Sequence, residues 1–173
     1  MADITAIFGI LLLVGIAFPG MLAAWWLLFP ATVERARLRL ESTPWQTFWF
    51  GGVITAATII PTVLLLALPF GPAKFAGWFI IALLVGLSSL GSAGIAAKMA
   101  QTLSGRSGFS QAAAFVSGAV ALELAVIFPV IGWFFVLPLT IVSALGATGF
   151  ALLRWQPKTT AILAPHANPT QIS

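Results

Sequence analysis

Apolar residues fill this chain in long blocks, separated by short breaks that are polar or carry proline. The blocks cover about 4–29, 45–68, 75–99, 111–128 and 134–155. All but the fourth, which is short, are long enough for a helix to cross a hydrocarbon core of roughly 30 Å. Pro19-Gly20 falls inside the first block and predicts a kink there. The first break, Pro30–Trp45, holds Val33, Ala36 and Leu40 at helical spacing, with Arg35, Arg37 and Arg39 between them. That pattern predicts a short amphipathic helix at the membrane surface. Thr43-Pro44-Trp45-Gln46 places a threonine at an N-cap, a proline at the first helical position and a glutamine where it completes a capping box. Pro61 interrupts the second block, and Pro69-Phe70-Gly71-Pro72 ends it.

Gln101–Ser110 reads as a polar loop whose last residue caps the next helix. The apolar run 111–155 would be about 68 Å long as one helix, so it folds back, at Phe128–Trp133. The segment 156–173 carries three prolines among small polar residues and reads as a mobile tail. The apolar start lacks the basic flank of a signal peptide and reads as a retained span.

A repeat runs through this pattern. Gly77–Lys98 aligns without gaps on Gly132–Leu153, and nine of the 22 positions are identical, including Gly-Trp-Phe at each start. Chance in so apolar a chain gives roughly 2 matches, so we read an internal repeat. Within it, small residues recur in one register. In the first copy they are Ser88, Gly91, Ser92, Gly94 and Ala96. In the second they are Ser143, Gly146, Ala147, Gly149 and Ala151. Such ridges let helix backbones approach closely, so the third and fifth spans are expected to pack through them, against each other or a partner.

Composition decides the class. Hydrophobic residues make up 60% of the 173 and charged ones only 7%, against about 25% charged in a soluble domain. This excludes an ordinary soluble fold. The net charge of +4 sits between the apolar blocks, where it reports orientation rather than nucleic-acid binding. Five spans put Arg35, Arg37, Arg39, Lys98, Arg106, Arg154 and Lys158 on one side and Lys74 alone on the other. Seven against one places the N-terminus outside and the tail in the cytoplasm. It also makes the second-third and fourth-fifth hairpins parallel. Trp25, Trp26, Trp45, Trp49 and Trp155 then fall near the inner boundary, and Trp78 and Trp133 near the outer one.

Candidate chemistry is sparse. There is no cysteine and no tyrosine, and the single histidine, His166, lies in the tail. No Glu-x-x-His, Walker motif or nucleophile triad occurs. We therefore expect no enzyme, no metal and no cofactor. Glu123 is the one acidic residue inside a span, with Thr140 and Ser143 of the fifth span and Thr62 of the second at similar depth. An intramembrane carboxyl is a candidate proton or cation site, or a structural group bonded to a neighbouring hydroxyl. The arginines of the first break orient the chain and are candidates for contact with anionic headgroups or a partner.

The arrangement Phe29-Pro30…Val33-Glu34-Arg35…Thr43-Pro44-Trp45…Gly51-Gly52, followed by Ile127-Phe128-Pro129-Val130-Ile131-Gly132-Trp133, resembles the multi-span membrane domain attached to bacterial polymer-forming, bactofilin-like proteins. In size and span count the chain is also similar to accessory membrane subunits of bacterial electron-transfer assemblies such as alternative complex III. These resemblances imply a bacterial inner-membrane protein that works beside other subunits. The expectation is thus an all-α, five-span accessory or scaffold subunit in contact with lipid and other membrane proteins. The alternatives are a small transporter or channel using Glu123, and a membrane tether.

Overall fold

A computed structural model describes residues 2–108 and 110–154. Every element in them is helical: α1 (Ala2–Leu28), α2 (Pro30–Ser42), α3 (Pro44–Ala67), α4 (Gly71–Ser107), α5 (Gln111–Ile127) and α6 (Leu137–Leu152), with a π-helical turn, Gly132–Val136, leading into α6. The expected tail, with Trp155 and Lys158, lies outside the described residues.

The breaks form where backbone chemistry requires them. Pro30 has no N–H to continue α1, Phe29 leaves helical geometry, and α2 sets off at 106° to the preceding helix. Thr43 and Pro44 occupy the N-cap and first positions of α3 as expected, but the threonine hydroxyl caps nothing there. It accepts from Arg39 Nη1 at 3.2 Å instead. Ser110 does cap α5, accepting from the Ala113 N–H at 3.3 Å. Helices α1 and α3 continue through Pro19 and Pro61.

One element differs from the sequence expectation. The polar stretch after Met99 is not a loop; α4 continues to Ser107 and stops at Gly108, which adopts the left-handed conformation at φ +64. Its 37 residues make a rod of about 55 Å, well beyond the thickness of a bilayer core. Packing stabilises the extension, since Ala97 and Ala100 are buried with Ala114 and Phe115 of α5.

The turn at Phe128–Ile131 lies where the sequence places it. Val130 there has φ +67, and Gly132 sits against α5 so closely that a Cβ would lie 2.4 Å from the Val126 carbonyl oxygen. Only glycine fits that position.

Helix α4 is the axis of the bundle and packs against each of the other five α-helices. Helix α6 lies between α3 and α4, α5 packs on the opposite side of α4, and α1 leans on α5 and α4. The core is rich in alanine and is concentrated at the end where α2 lies. One cluster joins Leu22, Val33, Ala93, Ala96, Phe115 and Leu122, and a second joins Ala36, Leu40, Ala147 and Ala151. Toward the other end the helices show their apolar side chains outward: Trp78, Phe79, Trp133, Phe134 and Phe135 are all exposed.

Among the described residues, three helices are long and apolar enough to cross a membrane: Pro44–Ala67, Gly71–Gly105 and Gly132–Leu152. The bent α1–α2 pair, taken as one, makes a fourth. Only 11% of the apolar window of α3 is buried inside the protein, so its remaining surface must meet hydrocarbon.

Candidate functional site

Charge collects at one end of the bundle, where α2 lies across α4 and α6. Val33, Ala36 and Leu40 are buried there, as their spacing predicts. Two of the three arginines are turned into the protein, and Arg35 is half-buried. Arg37 and Arg39 are 7% and 6% exposed, because the face of α2 that carries Val33 also carries Arg37 one turn later. Arg37 donates from Nε to Glu34 at 2.8 Å, from Nη2 to the other Glu34 oxygen, and from Nη1 to Glu41 at 2.7 Å and Gln101 of α4 at 2.5 Å. Arg39 lies over the Phe150 ring of α6, 4.2 Å from its centroid.

Arg35 reaches the end of α6 and donates to the Ala151 carbonyl at 3.2 Å, while Lys98 of α4 donates to the Leu40 carbonyl of α2 at 2.9 Å. Cations thus sit at two helix C-termini, where backbone carbonyls are unsatisfied and the macrodipole is negative. The hydrogen bond from Arg37 holds the Glu34 carboxyl below the usual carboxylate range, against a smaller opposing effect of burial. Beside this lock is a pocket of about 310 Å³, lined by Trp26, Glu34, Arg37, Gln101, Gln111 and Phe115 among others. Trp26 stacks on Phe115 with centroids 4.9 Å apart.

Glu123 lies on α5 and is 6% exposed. Its Oε1 has no hydrogen-bond partner. It faces α1 at Gly15, where a Cβ would be 3.7 Å from that oxygen. The structure does not bring Thr140 or Ser143 to this carboxyl, and the Thr62 hydroxyl donates to the Thr58 carbonyl in its own helix.

The small-residue ridges lie at the closest helix contacts. A Cβ on Gly91 would lie 2.1 Å from the Ala144 carbonyl oxygen of α6, and one on Gly146 would lie 1.9 Å from the Thr47 carbonyl oxygen of α3. Gly94 sits against Ala36 of α2, and Gly149 against the Phe50 ring. Ser92, Ala96, Ala147 and Ala151 are buried, and Ser143 is half-buried. Sequence reasoning missed two members of this set. Gly51 closes on the Val142 carbonyl oxygen at 1.8 Å for an added Cβ, and Thr148 donates to the Leu87 carbonyl at 2.9 Å. The Gly51-Gly52 pair inside an apolar span was the available signal for the first. Ser88 and Thr140 line a second cleft, of about 390 Å³, between α1, α4 and α6, with Thr55 of α3 and Val126 of α5 also at its wall.

Among the described residues no group of three or more His, Cys, Asp or Glu side chains could hold a metal ion. Fold and surface together define an all-helical, multi-pass membrane protein in contact with the lipid bilayer. Compared with protein-family models, curated proteins and solved structures, the chain matches none.

Proposed function

We propose that this protein is a five-span accessory or scaffold subunit of a larger assembly in a bacterial cytoplasmic membrane. The N-terminus lies outside, and α2 lies at the cytoplasmic surface. The observation that carries this reading is the lock at α2. Arg35, Arg37 and Lys98 fasten α2, α4 and α6 to one another, so the basic segment serves the chain's own rigidity.

A rigid frame with exposed apolar walls is what a scaffold needs. The outer wall of α3 offers Trp45, Trp49, Val53, Ile60 and Leu64, and α1 offers Ile10, Leu13 and Ile16. Lipid solvates such walls as well as protein does, so a partner is selected by shape. Five spans require α1 and the 17-residue α5 to cross as well; α5, at about 26 Å, is short enough to thin the bilayer locally. The tandem repeat is part of the same proposal, and paired glycines support it. Gly91 and Gly146, which the repeat aligns, each lie against a backbone carbonyl of a neighbouring helix.

Gentle extraction of the tagged protein followed by native electrophoresis tests the reading. Migration within a larger membrane assembly, with defined co-purifying subunits, is expected. A monomer in every mild detergent and in native membrane particles would defeat it. Electron-transfer complexes are the first assemblies to look for, given the resemblance in size and span count.

A second reading has one observation of its own, the unpartnered buried oxygen of Glu123. It makes the protein a small proton- or cation-coupled transporter. Glu123→Gln keeps the shape and removes titration. Equal ion flux in proteoliposomes of both forms would dismiss it.

A further inference from the structure

We propose that the cleft between α1, α4 and α6 binds an uncharged, membrane-dissolved carbonyl compound of the quinone class, held by the hydroxyls of Ser88 and Thr140. The cleft has a volume of about 390 Å³, and Phe18, Met21, Leu84, Val126 and Ile141 form much of its apolar wall. Five hydroxyl side chains also line it. Three are satisfied within their own helices: Thr55 donates to the Gly51 carbonyl at 2.8 Å, Ser89 to Gly86 at 2.8 Å, and Ser92 to Ser88 at 2.9 Å.

Ser88 and Thr140 make no such bond among the described residues, although Ser88 is only 8% exposed. Each hydroxyl thus keeps a donor available at the cleft wall, Ser88 on α4 and the half-buried Thr140 on α6, and an acceptor oxygen entering the cleft gains a hydrogen bond from each in apolar surroundings.

Depth selects the class of acceptor. Ser88 is ten residues from Trp78 and ten from Lys98, about 15 Å along α4 from each. With those residues near the two boundaries, Ser88 lies at the middle of the hydrocarbon core. The ester carbonyls of a phospholipid stay near the headgroups, about 15 Å away, and cannot reach it. The surrounding hydrocarbon supplies no water at that depth. A carbonyl carried on a neutral, flat, apolar ring with a hydrocarbon tail can enter. The ring fits the cleft, its oxygens accept from the two hydroxyls, and the tail leaves between the helices into lipid.

This proposal requires that α4 and α6 cross the bilayer. It does not require a partner, so a partner-free monomer that binds quinone would defeat the scaffold reading and leave this one standing.

The test uses the full chain in nanodiscs of synthetic phosphatidylcholine, titrated with a short-chain ubiquinone and a short-chain menaquinone, with bound molecules counted by native mass spectrometry. Saturable binding of about one molecule per chain is expected. Ser88→Ala and Thr140→Val should each weaken it roughly fivefold, the effect of one lost hydrogen bond. Ser89→Ala, whose hydroxyl is tied to its own helix, should stay within about twofold. Ser88→Phe should fill the cleft and abolish binding, with the melting temperature of each variant recorded to establish folding. Absence of saturable binding to either quinone overturns the proposal. So does equal binding by wild type and a folded Ser88→Phe variant, or occupancy by phospholipid chains that quinone does not displace.

Discussion

Arg37 shows how helical spacing and charge compete in a sequence reading. It follows Val33 by four residues, so the periodicity that buries Val33 also turns Arg37 inward. Its charge argues for the surface. The structure resolves the conflict with Glu34, Glu41 and Gln101, which satisfy the guanidinium at the bundle edge. Arg37→Met should therefore destabilise the protein by about 2 kcal/mol, less than for a fully buried pair because both glutamates remain partly in water. Acid should act through the same contact. The folded-state pKa of Glu34 lies below its unfolded value, so the contact stabilises above the ordinary carboxylate value and is lost as pH falls through the lowered one. Thermal melting in detergent from neutral to acid pH should show wild type losing stability at the acid end. Arg37→Met should have lost that share of the pH dependence.

Helix pairs hold together here by the absence of side chains. Gly51 and Gly146 bring α3 and α6 into backbone contact, and nothing larger than a hydrogen fits at either site. Gly146→Ala should cost about 3 kcal/mol, whereas Gly86→Ala, with nothing within 4 Å of its new Cβ, should be neutral or stabilise α4 by up to about 1 kcal/mol. Melting temperatures measured in one detergent check the contrast. At the turn before α6, Val130 holds a backbone conformation that β-branched residues resist. Val130→Gly should raise stability by about 1 kcal/mol on the same assay.

Much at this scale was legible. The starts of α2, α3 and α5 are marked by Pro30, Pro44 and Ser110, and the ridge glycines by their register. The extension of α4 was not legible. Gln101, Thr102 and Ser104 are compatible with loop or helix, and only contact with α2 and α5 decides between them.

For the molecule as a whole, the five-span reading we propose sets Lys74 alone on one side and the cluster of basic residues on the other. Reporters fused after Phe70 and after Val130 should read periplasmic, and one inserted at Gly108 should read cytoplasmic. A cytoplasmic signal after Val130 would contradict five spans. The cleft behind Ser88 could not have been read from the sequence. A cavity is a property of how several helices fail to meet, and no local pattern encodes it.

The position of α6 at the end of the described chain has a consequence for biosynthesis. Part of what covers the basic segment arrives with it, namely the Phe150 ring beneath Arg39 and the Ala151 carbonyl for Arg35, whereas Arg37 is already bonded within α2 and to α4. A nascent chain ending at residue 131 already carries α2 and α4 but lacks the α6 partners of Arg35 and Arg39. Its unfinished state should therefore leave Arg35 and Arg39 more open to proteases than the folded chain does, until α6 emerges. Trypsin added to the cytoplasmic face should cut after Arg35 or Arg39 in the shortened chain and leave those sites intact in the full one.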